Sequence, residues 1–217
     1  MSIHSFIICV SRRYPINTKA KTGEKYHRIL EAAAKIFAEK GFHQSTISQI
    51  AKKAGVADGT IYLYFKNKDD VLVQFFQYKT KQVFNGFREE VKKGDSAIEK
   101  LRNLIHRHLS EFQRDRDMAV VYQSFAYHKN DLVESNIREM SKMYLDIVSE
   151  IVEQGQQEGT IRKDLYVGLV KRFILGSVDS AINTWLRSTK GYDLKSMADP
   201  LIDLFTRGIG TSESPSE

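Results

Sequence analysis

TISQIAKKAGVADGTIYLYFKNKDDVL, residues 46–72, reads as two short helices separated by a glycine, with the start of a longer third behind them. Thr46 can cap the first turn while Gln49, three residues on, reaches back to complete a capping box. Ile47, Ile50, Ala51 and Ala54 then share one face. Gly55 permits the tight turn that swings the chain into the next helix, expected over Ala57 to Phe65. There Ile61 and Phe65, four apart, point inward and leave Asp58, Gly59, Thr60, Tyr62, Leu63 and Tyr64 around the outer faces. Upstream, Tyr26, Ile29, Leu30, Ala33, Ile36 and Phe37 follow the 3, 4, 7 spacing of an amphipathic helix that Gly41 ends. Three short helices joined this way make a helix-turn-helix. Its last helix is the natural reader of a DNA major groove, with N-terminal residues on base edges and hydroxyls and Lys68 on phosphates. Gly59 lets backbone and DNA approach closely. Asp58 has two readings, an acceptor for a cytosine amino group or a complement to the positive end of the helix dipole.

The charge follows this division. Residues 1–70 hold 12 Lys/Arg against 6 Asp/Glu, whereas residues 71–217 hold 21 of each, so the whole net charge of +6 lies in the first third. That third is the candidate partner for a polyanion. The chain has 217 residues, 41% of them hydrophobic, with three prolines and no sustained alternation of strand type, which points to an all-α fold in two units. Cys9 is alone, so neither an internal disulfide nor a cysteine metal site is expected, and the context is a reducing cytoplasm. The apolar start MSIHSFIICV is too short for a membrane span and lacks a preceding basic region. Residues 1–22 are expected to be a flexible arm, 23–70 the DNA-binding domain, 71–210 a ligand-binding and dimerisation domain, and 211–217 a disordered tail.

Beyond Asn67, a cap for a long fourth helix, helical stretches are expected at about 96–114, 117–127, 131–156, 165–188 and 194–208. Leu194, Met197, Ala198, Leu201, Ile202 and Phe205 form one stripe, and Ile182 and Trp185 belong to a broadly apolar helix before it. Ile182, Trp185, Leu194, Leu201 and Phe205 are therefore the expected contacts of a homodimer, in which two recognition helices read a palindrome with half-sites about 34 Å apart. Leu109, Phe112, Tyr144, Val148 and Ile174 belong to an apolar set larger than a thin bundle needs, so a pocket for a hydrophobic effector is expected among them. Gln123 lies among apolar neighbours, as an interhelical hydrogen bond or as a ligand contact. Arg102 and His106, four apart, share a face that either meets solvent or receives an anionic group.

Residues 46–72, preceded by ILEAAAKIFAEKGF, resemble the DNA-binding signature of the TetR family. The resemblance implies that Ser48, Asp58, Gly59, Tyr62 and Leu63 lie nearest the bases, with Thr46, Thr60, Tyr64 and Lys68 on phosphates. Ala57 departs from the capping Ser or Thr of many members. FILGSVDSAINTWLRSTKGYDL, residues 173–194, resembles more narrowly the fatty-acid-degradation regulators of that family, the FadR group. This implies a repressor of fatty-acid catabolic genes, released from operator DNA when a long-chain acyl-CoA enters the C-terminal domain. Where relatives carry a QxELR-like run, this chain has Gln123-Ser124-Phe125-Ala126-Tyr127-His128, which leaves open whether Gln123 and Tyr127 meet the ligand's polar end. The other readings are a repressor answering to another hydrophobic ligand or drug, and a helical enzyme acting on acyl-CoA. The enzyme is not expected, because G-x-S-x-G, H-E-x-x-H and a glycine-rich phosphate loop are missing. His106 and His108 point about 200° apart on a helix and cannot chelate one metal.

Overall fold

Nine α-helices and one short 3-10 helix make up the described residues of the computed structural model, 23–126, 131–189 and 191–209, with no strand among them. The arm expected at 1–22, the tail at 211–217 and the candidate Tyr127 lie outside the described residues. The chain divides into two units, Met1–Val71 and Leu72–Glu217.

In the first unit, α1 spans Glu24–Lys40, α2 Ile47–Ala54 and α3 Asp58–Tyr62, and α4 begins at Lys68. The capping box is present in full: the Gln49 amide donates to Thr46 Oγ1 at 3.2 Å, and the Thr46 amide donates to Gln49 Oε1 at 3.2 Å. Ile29, Leu30, Ala33, Ile50, Ala51 and Ile61 are wholly buried between the three helices. Phe65 stacks on Tyr26, with ring centroids 5.3 Å apart and planes 12° from parallel. The third helix is shorter than the Ala57 to Phe65 expected. Ala57 supplies no side-chain cap, and the amides of Leu63 and Tyr64 bond three residues back, to Thr60 and Ile61, which tightens the last turn.

The second unit holds the rest of α4, which ends at Val91, followed by α5 Ala97–Arg114, α6 Arg116–Ala126, α7 Asp131–Glu158, α8 Val167–Arg187, the 3-10 helix Leu194–Met197 and α9 Ala198–Ile209. A capping box of Ser96 and Glu99 starts α5, which packs against α6, α7, α8, the 3-10 helix and α9. Asp115 accepts from the Met118 amide to start α6 and pairs with Lys79 of α4.

Four of the five dimer contacts expected from the sequence have their side chains covered within one copy. Ile182, Trp185, Leu194 and Phe205 are buried within the single subunit. Trp185 donates from Nε1 to the Tyr192 carbonyl at 3.0 Å, and the Arg116 guanidinium covers its ring at 4.7 Å, so both its polar and apolar needs are met at home. The apolar side chains left on the surface are instead Tyr166, Leu169 and Phe173 around the start of α8 and Leu204 on α9, while Leu201 is half-buried.

His108 sits in the core of this unit, where burial pushes its imidazole down to about 3 from 6.5. Unfolding lets it protonate, so its contribution is complete above pH 6.5 and is lost as pH falls toward 3. Asp179, raised to about 6 by burial, acts with the opposite sign between pH 6 and 4. Chemical denaturation of His108→Phe at pH 7.5, 6 and 5 should give a flatter loss of stability on acidification than the parent, by up to about 1.4 kcal/mol per pH unit. An unchanged slope would mean that His108 is charged in the folded protein.

Candidate nucleic-acid interface and interior effector site

The turn between α2 and α3 depends on Gly55, whose backbone is left-handed at φ 64°. Its amide and that of Val56 bond back to the Lys52 and Ala51 carbonyls, at 3.2 and 3.0 Å, closing the end of α2. Arg28, reaching across from α1, donates from Nη2 to the Ala54 carbonyl at 2.6 Å. A Cβ on Gly55 would lie 3.3 Å from that same nitrogen. Arg28 therefore fixes the angle at which α3 leaves the turn. No periodicity in the sequence marks it, because its partner is a backbone oxygen.

On this frame Thr46, Ser48, Asp58 and Gly59 are exposed, and Tyr62 and Leu63 are 59% and 76% exposed. A Cβ at Gly59 would meet nothing within 4 Å, so the backbone of α3 is open to close approach from outside. Thr60 and Tyr64 are half-buried, Tyr64 leaning on Tyr26 at 6.3 Å between centroids. Of the residues expected to face DNA, six are thus exposed and two half-buried, and Lys68 is engaged elsewhere. Its ammonium donates to the carbonyls of Phe42 at 2.7 Å and Ser45 at 2.8 Å and lies 4.5 Å over the Phe42 ring. The free lysine expected on a phosphate is corrected to a staple across the α1–α2 turn, since three peptide oxygens, His43's at 3.4 Å included, already surround the charge.

In the second unit Leu109, Val148 and Ile174 are wholly buried, with Phe112 and Tyr144 nearly so. Gln123 is buried too, and among the described residues neither its Nε2 nor its Oε1 has a hydrogen-bond partner. The interhelical hydrogen bond offered above as one reading of Gln123 is therefore missing. Arg102 and His106 do not reach this interior. They meet at the surface on one carboxylate oxygen of Asp199, at 2.9 and 3.0 Å, and the anionic group expected there is thus supplied by α9. The two histidines diverge as their spacing requires, His106 outward and His108 into the core. Among the described residues no three His, Cys, Asp or Glu side chains gather as metal ligands, and no helix is long and apolar enough to cross a membrane.

Two sequence profiles cover most of the chain: that of bacterial regulatory proteins of the tetR family at residues 29–75, and that of the C-terminal region of YsiA-like protein at 76–208. The chain belongs to the TetR family of bacterial regulators. It is 40% identical over 185 residues to the fatty acid metabolism regulator protein of Bacillus subtilis, covering 85% of this chain and 95% of that one. Among solved structures it resembles the transcriptional regulator FadR from Bacillus subtilis in complex with stearoyl-CoA, at 40% identity and a TM-score of 0.78, over 85% of this chain and 99% of that one. It also resembles the fatty acid degradation regulator FadR from Bacillus halodurans, at 36% identity and a TM-score of 0.81, over 87% and 97%.

Replacing Lys68 with Met should lower the stability of the protein by about 1–2 kcal/mol, since two carbonyls lose a charged donor. The slope of log operator affinity against log salt should stay close to the parent's, because Lys68 releases no counterion. A slope flatter by about one unit with unchanged thermal unfolding would return Lys68 to a phosphate.

Proposed function

We propose that this chain is a dimeric repressor of fatty-acid degradation genes that leaves its operator when a long-chain acyl-CoA binds its second unit. The observation that carries the proposal is the match over 85% of the chain to a regulator holding stearoyl-CoA. DNA binding rests in addition on the exposed edge of Thr46, Ser48, Asp58, Gly59, Tyr62 and Leu63. A solvent-facing tyrosine and leucine side by side on a helix of one turn serve little purpose without a partner.

Ser48, Asp58, Gly59, Tyr62 and Leu63 face the bases, while the hydroxyls of Thr46, Thr60 and Tyr64 hold the backbone. Thr46 accepts the Gln49 amide and still has its own hydrogen to donate. Two copies pair through α8 and α9, using Leu169, Phe173, Leu201 and Leu204, with Gly176 and Ser180 allowing the α8 helices to approach. The effector acts by favouring a dimer whose recognition helices are wrongly spaced for the operator, which requires different affinities for the two states. Leu109, Phe112, Val148 and Ile174 line the path of the acyl chain, and Gln123 and Tyr144 offer it hydrogen bonds. The role is regulatory and involves no turnover of the acyl-CoA.

Saturating stearoyl-CoA should weaken operator binding by about tenfold or more in an electrophoretic or anisotropy titration, the range of a typical coupling between sites. No change in operator affinity would remove acyl-CoA as the effector. Phe173→Glu should shift the protein to monomer in analytical ultracentrifugation, whereas Trp185→Phe should leave the dimer intact while lowering stability. The reverse pattern would return the interface to Trp185.

A further inference from the structure

The interior of the second unit contains two neighbouring polar side chains, each with an atom that has no hydrogen-bond partner among the described residues. His108 on α5 and Tyr144 on α7 lie with ring centroids 4.9 Å apart. Phe87 of α4 contacts both, at 5.2 and 5.8 Å, and Phe112 meets His108 at 4.9 Å. Both polar side chains are more than nine-tenths buried, at 5% and 2% exposure. The Tyr144 hydroxyl and His108 Nδ1 have no hydrogen-bond partner and no access to solvent. A phenylalanine at position 144 would fill the same space without that cost.

The chemistry around these two side chains limits what can satisfy them. Burial keeps His108 neutral, and burial together with the Asp179 charge keeps Tyr144 protonated. The surround is aromatic, and the charge that bears on Tyr144 is negative. A hydrocarbon chain fits such walls, and an oxygen without charge can accept from the phenol. A carboxylate would enter beside Asp179 with no cation among the ring contacts to balance it. Arg102 and His106 stand elsewhere, on Asp199 at the surface.

We propose that Tyr144, packed on His108, donates a hydrogen bond to the carbonyl oxygen of an acyl thioester, so that the interior recognises the neutral activated acyl group over the free fatty-acid carboxylate. The inference rests on the acyl-CoA reading above and adds to it the atom that is read.

The test is a cycle that removes the oxygen from either side. Binding of stearoyl-CoA and of S-octadecyl-CoA, a thioether of equal length without the carbonyl, is measured by calorimetry on the full chain and on Tyr144→Phe. The parent should bind the thioester about tenfold more tightly than the thioether, equivalent to 1.4 kcal/mol. Tyr144→Phe should bind the two alike and match the parent's affinity for the thioether. Thermal unfolding of this variant should stay at or above the parent's, since only an unpaired hydroxyl is lost. In competition, methyl stearate should displace bound stearoyl-CoA at lower concentration than stearate does. Equal binding of thioester and thioether by the parent overturns the inference, as does an equal loss for both ligands in Tyr144→Phe or a stronger competition by stearate. A parent that binds neither CoA derivative overturns the acyl-CoA reading itself, which is a separate result.

Discussion

The donation from Arg28 to the carbonyl of Ala54 holds the turn on which the DNA-reading surface depends. A left-handed residue must follow Ala54 for the chain to reverse, and Gly55 takes that conformation without strain. With the turn fixed, Ile61 enters the core beside Ile50 and Leu30, and Phe65 stacks on Tyr26. Tyr62 and Leu63 are then forced outward, because the inward positions of a single-turn helix are already filled. Lys68 repeats the device at the other turn, placing its charge on the Phe42 and Ser45 carbonyls. Arg28 and Lys68 thus hold peptide oxygens at two turns, and at the C-terminal end of α2 the helix dipole also favours the Arg28 cation.

The second unit follows a different economy of polar groups. Some of its polar groups are satisfied, as in the Trp185 bond to Tyr192 and the Lys79 pair with Asp115. Gln123, His108 and Tyr144 are buried without partners for the atoms named above. Each such unpaired group costs stability, and the ligand site proposed among α5, α6 and α7 is what would repay that cost. A regulator needs such a site, because an effector shifts an equilibrium only when one arrangement satisfies groups that the other leaves unmet.

The helix-turn-helix was legible because its signals are local. Thr46 and Gln49, Gly55, and Ile61 with Phe65 all act within a few residues of one another. The second unit was less so. A stripe such as Leu194, Leu201 and Phe205 states that a face is apolar, without stating whether its cover comes from the same chain or another copy. Arg116 and Tyr192 decide that for Trp185, and neither carries a mark in the sequence. Arg102 and His106, four apart, show in the sequence only that they share a face; that Asp199, 97 residues from Arg102, meets them there does not show. The long-range partner, rather than the spacing, determined what each side chain does.

Release of a repressor by an acyl-CoA requires that one molecule couple an operator-reading surface to an acyl-binding interior. Coupling between two binding sites is reciprocal, so the operator must weaken the effector by the factor with which the effector weakens the operator. Stearoyl-CoA affinity measured by calorimetry with and without saturating operator DNA tests this most directly. Binding to the DNA-bound dimer should be weaker, by the same factor found in operator titrations. Equal stearoyl-CoA affinity in the two cases would contradict the coupling.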